Sequence, residues 1–75
     1  MKVVVYSLPS CPGCDQVKKF LEENDVKYDV VDVSDTIKAR EMVEKYKVMS
    51  VPVTVIDDQV VVGAKLDEIK RLISK

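Results

Sequence analysis

Hydrophobic positions along the chain change period several times, and each change marks an element. Residues about 2 to 6 include the unbroken run Val3-Val4-Val5-Tyr6, with neither a helical nor an alternating period, the pattern of a strand covered on both faces. The period then becomes helical. From Pro12 to about Asn24, Val17, Phe20 and Leu21 fall at i, i+3 and i+4, while Lys18, Lys19, Glu22 and Glu23 take the other side, and Asn24-Asp25 ends the run. Residues about 27 to 33, Lys27-Tyr28-Asp29-Val30-Val31-Asp32-Val33, predict a second strand. Ser34 or Asp35 then caps a second helix to about Lys47, with Ala39, Met42, Val43 and Tyr46 as its apolar stripe.

Pro52 stands at the head of a third strand, Val53-Thr54-Val55-Ile56, where a missing backbone N–H does least harm. A tight Asp57-Asp58 turn leads into Val60-Val61-Val62 and Gly63, and a last helix carries Leu66, Ile69, Leu72 and Ile73 on one face. The predicted order is β-α-β-α-β-β-α, an α/β class in which strands 1 and 2 form a right-handed parallel unit and strands 3 and 4 a hairpin. No repeat, linker or low-complexity segment interrupts it, so residues 1–75 read as a single domain.

Composition narrows the function classes. At 75 residues the chain is near the size at which one apolar core can support a fold without a staple. The 12 basic and 13 acidic residues are interspersed and leave a net charge of -1, so nothing resembles a nucleic-acid or anionic-membrane footprint. The first apolar run is too short for a signal-peptide core, and no stretch approaches the ~20 apolar residues of a membrane span. These features predict a monomer in the reducing cytoplasm, where a cysteine pair is more often catalytic or metal-binding than structural.

The two cysteines stand in Cys11-Pro12-Gly13-Cys14, where the first strand gives way to the first helix. With Cys11 at the N-cap and Pro12 at the first helical position, both thiols fall within one helical turn. Residues three apart on a helix lie about 5–6 Å apart, inside the window a disulfide needs, and a bridge over so short a loop adds little stability. Reversible redox chemistry is the natural use. At the N-cap, Cys11 sulfur accepts from the N–H groups of Gly13 and Cys14, and the helix dipole adds about 0.3–2 kcal/mol to the thiolate. Cys11 is therefore expected to titrate clearly below free cysteine and to attack, with Cys14 resolving the mixed disulfide. Asp15 opposes a nearby thiolate, and Lys18 and Lys19 offset it if they face the site. A tetrahedral zinc site needs four ligands; with no histidine and no third cysteine, a closed zinc site requires two chains or carboxylate ligands, and the metal or iron–sulfur alternative is a dimer holding the group through Cys11 and Cys14.

Element order and motif together resemble the thioredoxin superfamily, specifically its small glutaredoxin-like branch, over the whole chain. Cys11-Pro12-Gly13-Cys14 is similar to the Cys-Pro-Tyr-Cys of dithiol glutaredoxins, Val51-Pro52 is placed like the family's cis-proline, and Gly63 stands where the family has a glycine at a substrate-binding turn. The resemblance implies a minimal thioredoxin fold, a four-stranded mixed sheet with helices on both faces. It also implies that Cys11 and Cys14 are the catalytic pair, that Pro12 and Gly13 support it, and that Val51, Pro52 and Gly63 contact substrate. Protein or small-molecule disulfides are the implied acceptors, and no bound cofactor is required.

Departures from the family pattern bear on the electron donor. Glutathione-using members usually have tyrosine at the Gly13 position, a basic residue shortly before the first cysteine, a Gly-Gly pair and then an aspartate. Here those positions read Gly13, Leu8-Pro9-Ser10, Gly63-Ala64 and Lys65-Leu66. Gly63-Ala64-Lys65-Leu66-Asp67 is more similar to the corresponding segment of glutaredoxin-like proteins fed by thioredoxin reductase, without that segment's aromatic and proline. The expected donor is accordingly a thioredoxin-reductase-like flavoprotein, with glutathione as the alternative. True thioredoxins bury a carboxylate in the first strand and carry a tryptophan before the motif; this chain has neither, so proton transfer from Cys14 requires another route.

Overall fold

The computed structural model describes residues 2–74. Its elements are β1 (Val3–Ser7), α1 (Pro12–Glu23), β2 (Asp29–Asp32), α2 (Thr36–Tyr46), β3 (Val53–Ile56), β4 (Gln59–Val62) and α3 (Leu66–Ile73), in the predicted order. They form one mixed sheet of order β2-β1-β3-β4. Strands β1 and β2 are parallel, with Val5 opposite Val30; β3 runs antiparallel to β1, with Thr54 opposite Val5; and β4 completes a hairpin with Val61 opposite Thr54.

Side chains directly opposite one another share a face of the sheet, and faces alternate along each strand. Val3, Val5, Ile56 and Val61 therefore point to one side, where Val17 and Leu21 of α1 and Ile69 of α3 close over them. Val53 and Val55 point to the other, where Met42 of α2 and Val33 cover them. Helices thus lie on both faces, two on one and one on the other. A single helix cannot cover four strands, so β1 is not sealed on both sides as its run of valines predicts: Val3, Val5 and Ser7 are buried, while Val4 and Tyr6 are only half-buried.

The second strand is also shorter than its composition suggests, Asp29–Asp32 rather than 27–33. It is an edge strand with β1 as its neighbour, and pairing stops where Val4–Ser7 run out of partners. Asp29 and Asp32 at its ends put charge on that edge, which discourages pairing with another chain.

Capping follows the sequence closely. Asp35, rather than Ser34, caps α2 by accepting the Ile37 N–H at 2.8 Å, while the Ser34 N–H goes to Asp32 Oδ1 at 2.9 Å. Lys47 closes α2 in the left-handed conformation, φ 59°. In α3, Asp67 and Glu68 occupy the first turn and Lys70 and Arg71 the last, complementing the helix dipole. Among the described residues, no helix is long and apolar enough to cross a membrane.

Candidate redox site

The site is assembled at the end of the sheet where β1 stops. Beyond Ser7 the chain turns through Pro9 and Ser10, the latter at φ 58°, and Cys11 enters in extended conformation as the N-cap of α1. Pro12 takes the first helical position, where its absent N–H is no loss. Cys11 and Cys14 are joined as a disulfide with their Cα atoms 5.2 Å apart. Cys11 Sγ accepts the Cys14 N–H at 3.2 Å; of the two N–H groups expected to reach the sulfur, that of Cys14 does so. The two sulfurs differ in access, since Cys11 is half-buried and Cys14 is 0 % exposed.

Residues far apart in the chain converge on this turn. The Val51–Pro52 peptide is cis, and Pro52 is buried with Val51 half-buried beside it. A Cβ on Gly13 would lie 3.2 Å from Pro52 Cδ and 3.7 Å from Ala64 Cβ, so the start of α1 rests directly on the proline ring and on the turn after β4. Gly63, at φ 85°, donates its N–H to the Pro52 carbonyl at 2.8 Å and ties that turn to the proline loop. A side-chain-bearing residue adopts this left-handed φ only with strain, which accounts for glycine here. Cys11, Cys14, Gly13, Val51, Pro52 and Gly63 thus come from three segments to one place.

A sequence model of the glutaredoxin family matches residues 3–61, which hold the cysteine pair, Val51 and Pro52. The chain belongs to the glutaredoxin family. It is 36% identical over 74 residues to an uncharacterized glutaredoxin-like 8.6 kDa protein in the rubredoxin operon of Clostridium pasteurianum, covering 97% of this chain and 99% of that one. A thioredoxin-like protein of known crystal structure superposes with a TM-score of 0.88 at 38% identity, over 95% of this chain and 99% of the other. The glutaredoxin-like protein NrdH-redoxin from Escherichia coli shares the fold, with a TM-score of 0.85 at 24% identity over 96% of this chain and 95% of that one.

Other candidates near the motif lie elsewhere in this glutaredoxin fold. Tyr6 points to the α2 face, packed edge-on against Tyr46 with ring centroids 5.6 Å apart. Burial, then the neighbouring Tyr46 hydroxyl, pushes its hydroxyl up to about 12. The Asp32 carboxyl, at the end of β2, is held below its usual range first by hydrogen bonds from Ser34 and then by the charge of Lys18. Three participants carry no sequence signal of their own. Ser10 makes the left-handed turn that delivers Cys11, Ala64 packs toward Gly13, and Thr54 is buried two residues beyond Pro52.

Proposed function

We propose that this glutaredoxin-family protein is a thiol–disulfide oxidoreductase in which Cys11 attacks and Cys14 resolves. The unequal exposure of the two sulfurs carries the reading: an incoming disulfide reaches Cys11, whereas Cys14 is enclosed and positioned to attack only its neighbour. The N-cap position favours the Cys11 anion through the Cys14 N–H and the helix dipole. In the reductive direction the Cys11 thiolate displaces one substrate sulfur, which leaves as a thiolate and takes a proton. Deprotonated Cys14 then attacks Cys11 sulfur, releases the second substrate thiolate and closes the disulfide; two electrons have passed to the substrate. Val51, Pro52 and Gly63 border the bridge and form the surface against which the substrate backbone rests.

A thioredoxin-reductase-like flavoprotein is the favoured donor, and the reducing cytoplasm the setting. Gly13 presents no side chain to a tripeptide, no basic residue precedes Cys11 in the loop from Leu8, and Ala64-Lys65-Leu66 replaces the glycine and aspartate by which glutathione-using relatives are recognised. Two coupled assays separate the donors, one with thioredoxin reductase and one with glutathione and its reductase, each following reduction of a protein disulfide. Turnover is expected mainly in the first; faster turnover in the second overturns the donor assignment. Cys11→Ser is expected to abolish activity in both and Cys14→Ser to accumulate mixed disulfide. Full-rate protein-disulfide reduction by Cys14→Ser would falsify the dithiol mechanism. The Cys11 thiol is expected to alkylate with a midpoint clearly below the ~8.5 of free cysteine, and a midpoint at or above that value removes the activated-nucleophile step.

A further inference from the structure

Thr54 carries the one buried side-chain oxygen without a hydrogen-bond partner among the described residues, and the residue is 0 % exposed. Such a group is rare in a folded protein, because burial strips it of water and gives nothing back. Its place in the fold suggests a use. Thr54 is paired directly with Val5 on one side and Val61 on the other, so its side chain points to the face covered by α1 and α3. It lies two residues beyond Pro52, on which the first turn of α1 rests, and therefore about 7 Å deeper along β3. The buried residues of α1 are Cys14, Val17 and Leu21. On this otherwise aliphatic face the buried side chains able to hydrogen-bond are Ser7, Cys14 and Thr54.

We propose that the Thr54 hydroxyl is the hydrogen-bonding partner of Cys14 in the reduced protein, which deepens the oxidoreductase reading above and rests on it. In the disulfide form, Cys14 sulfur bears no proton to donate and the Thr54 hydroxyl makes no hydrogen bond to it. Reduction by a donor dithiol breaks the Cys11–Cys14 bond, adds two electrons and two protons to the pair, and oxidises the donor to its disulfide. Cys14 then holds an S–H, or a thiolate during exchange, at a site with no access to water. A threonine hydroxyl accepts from the first and donates to the second by rotation about its C–O bond. It thereby gives the Cys14 sulfur a hydrogen-bonding partner in either protonation state, in a chain without a carboxylate in β1.

The redox equilibrium of the pair reads this directly. Wild type, Thr54→Val and Thr54→Ser are equilibrated in glutathione buffers of graded ratio, thiols are trapped by alkylation, and the melting temperature of each redox form is recorded. Thr54→Val, which keeps the shape and removes the hydroxyl, is expected to raise the melting temperature of the disulfide form more than that of the dithiol form. Its equilibrium is expected to shift toward disulfide by about 3–10-fold, roughly 15–30 mV for a two-electron couple. Thr54→Ser is expected to lose stability equally in both forms and to titrate with wild type. Equal stabilisation of both forms by Thr54→Val, with an unchanged equilibrium, overturns the assignment and leaves the oxidoreductase reading intact. A wild-type pair that does not exchange with the buffer at all removes both.

Discussion

The two faces of the sheet use the same residue, valine, yet are finished differently. On the α1/α3 face, Val3, Val5, Ile56 and Val61 meet Val17, Leu21 and Ile69, and each is at most 2 % exposed. On the α2 face, Val4, Tyr6 and Val31 remain half-buried, and an open groove of about 400 Å³ runs over Val4, Tyr6, Tyr46 and Val55 and is lined as well by Lys2 and Asp57. The difference is one of coverage over the inner strands. Two amphipathic helices close over β1, β3 and Val61 of β4, leaving Val30 of edge strand β2 48 % exposed, whereas one helix leaves part of β1 itself open on the other face. The redox pair belongs to the covered face. Cys14 is turned toward that dry core and is unavailable to solvent, while Cys11, at the helix start, is left at the surface. The closed face is what gives the two sulfurs different access to solvent.

This contrast is sharpest in core truncations. Leu21→Ala, at 0 % exposure, is expected to cost about 3–5 kcal/mol in denaturant unfolding of the disulfide form. That is a large part of the ~4–11 kcal/mol typical of a chain this size. Met42→Ala on the α2 face, 3 % exposed, is expected to fall nearer ~2–3 kcal/mol, because its half-open surroundings can close into the gap. An equal or larger loss from Met42→Ala would break the comparison.

Helix ends provide a smaller test. Asp35 caps the one helix on the open face, and Asp35→Ala is expected to cost about 1 kcal/mol. On the other face, α3 begins at Lys65 with no side-chain cap, so Lys65→Ser is expected to add roughly 0.5–1 kcal/mol. Both are read from the unfolding midpoint at constant denaturant slope.

The smallest effect is alkaline. Tyr6 packs on the α2 side and Tyr28 against the α1/α3 core, and both hydroxyls are pushed up to about 12, in each case chiefly by burial. The neighbouring Tyr46 adds to it for Tyr6, and for Tyr28 the hydrogen bond it donates to Glu22 at 2.6 Å. A raised folded value means that the folded state holds its protons longer. The associated stability is whole below about 10 and is lost as pH rises through about 12. Tyr6→Phe and Tyr28→Phe should each flatten the fall of unfolding stability over that window. A slope unchanged in both variants would assign it to other groups.

Much of this was legible in the chain. The change from valine runs to a 3.6-residue period located every element, because burial selects side chains at the spacing each element presents to its core. Cys11 at the N-cap followed by Pro12 is a local arrangement, and local chemistry was enough to read it. The limits of β2 were not local: composition supports a strand over 27–33, but a strand at the edge extends only as far as its neighbour pairs with it. Nor was the group on which the Lys18 charge acts, since helical spacing places it beside the site and beside β2 alike, and its ammonium helps to hold the Asp32 carboxyl below its usual range.

By itself, then, the sequence determined the elements, their order and a thiol pair at a helix start, since each depends on residues within a few positions of one another. The tertiary structure decided which thiol is reachable, that Gly13 rests on Pro52 and Ala64, that Gly63 hydrogen-bonds to Pro52, and that Thr54 is sealed beneath α1 and α3 with its hydroxyl unpaired. Those facts depend on the antiparallel pairing of β3 with β1, which brings residues some forty positions apart to the same end of the sheet. No local pattern encodes the contacts made once that pairing closes.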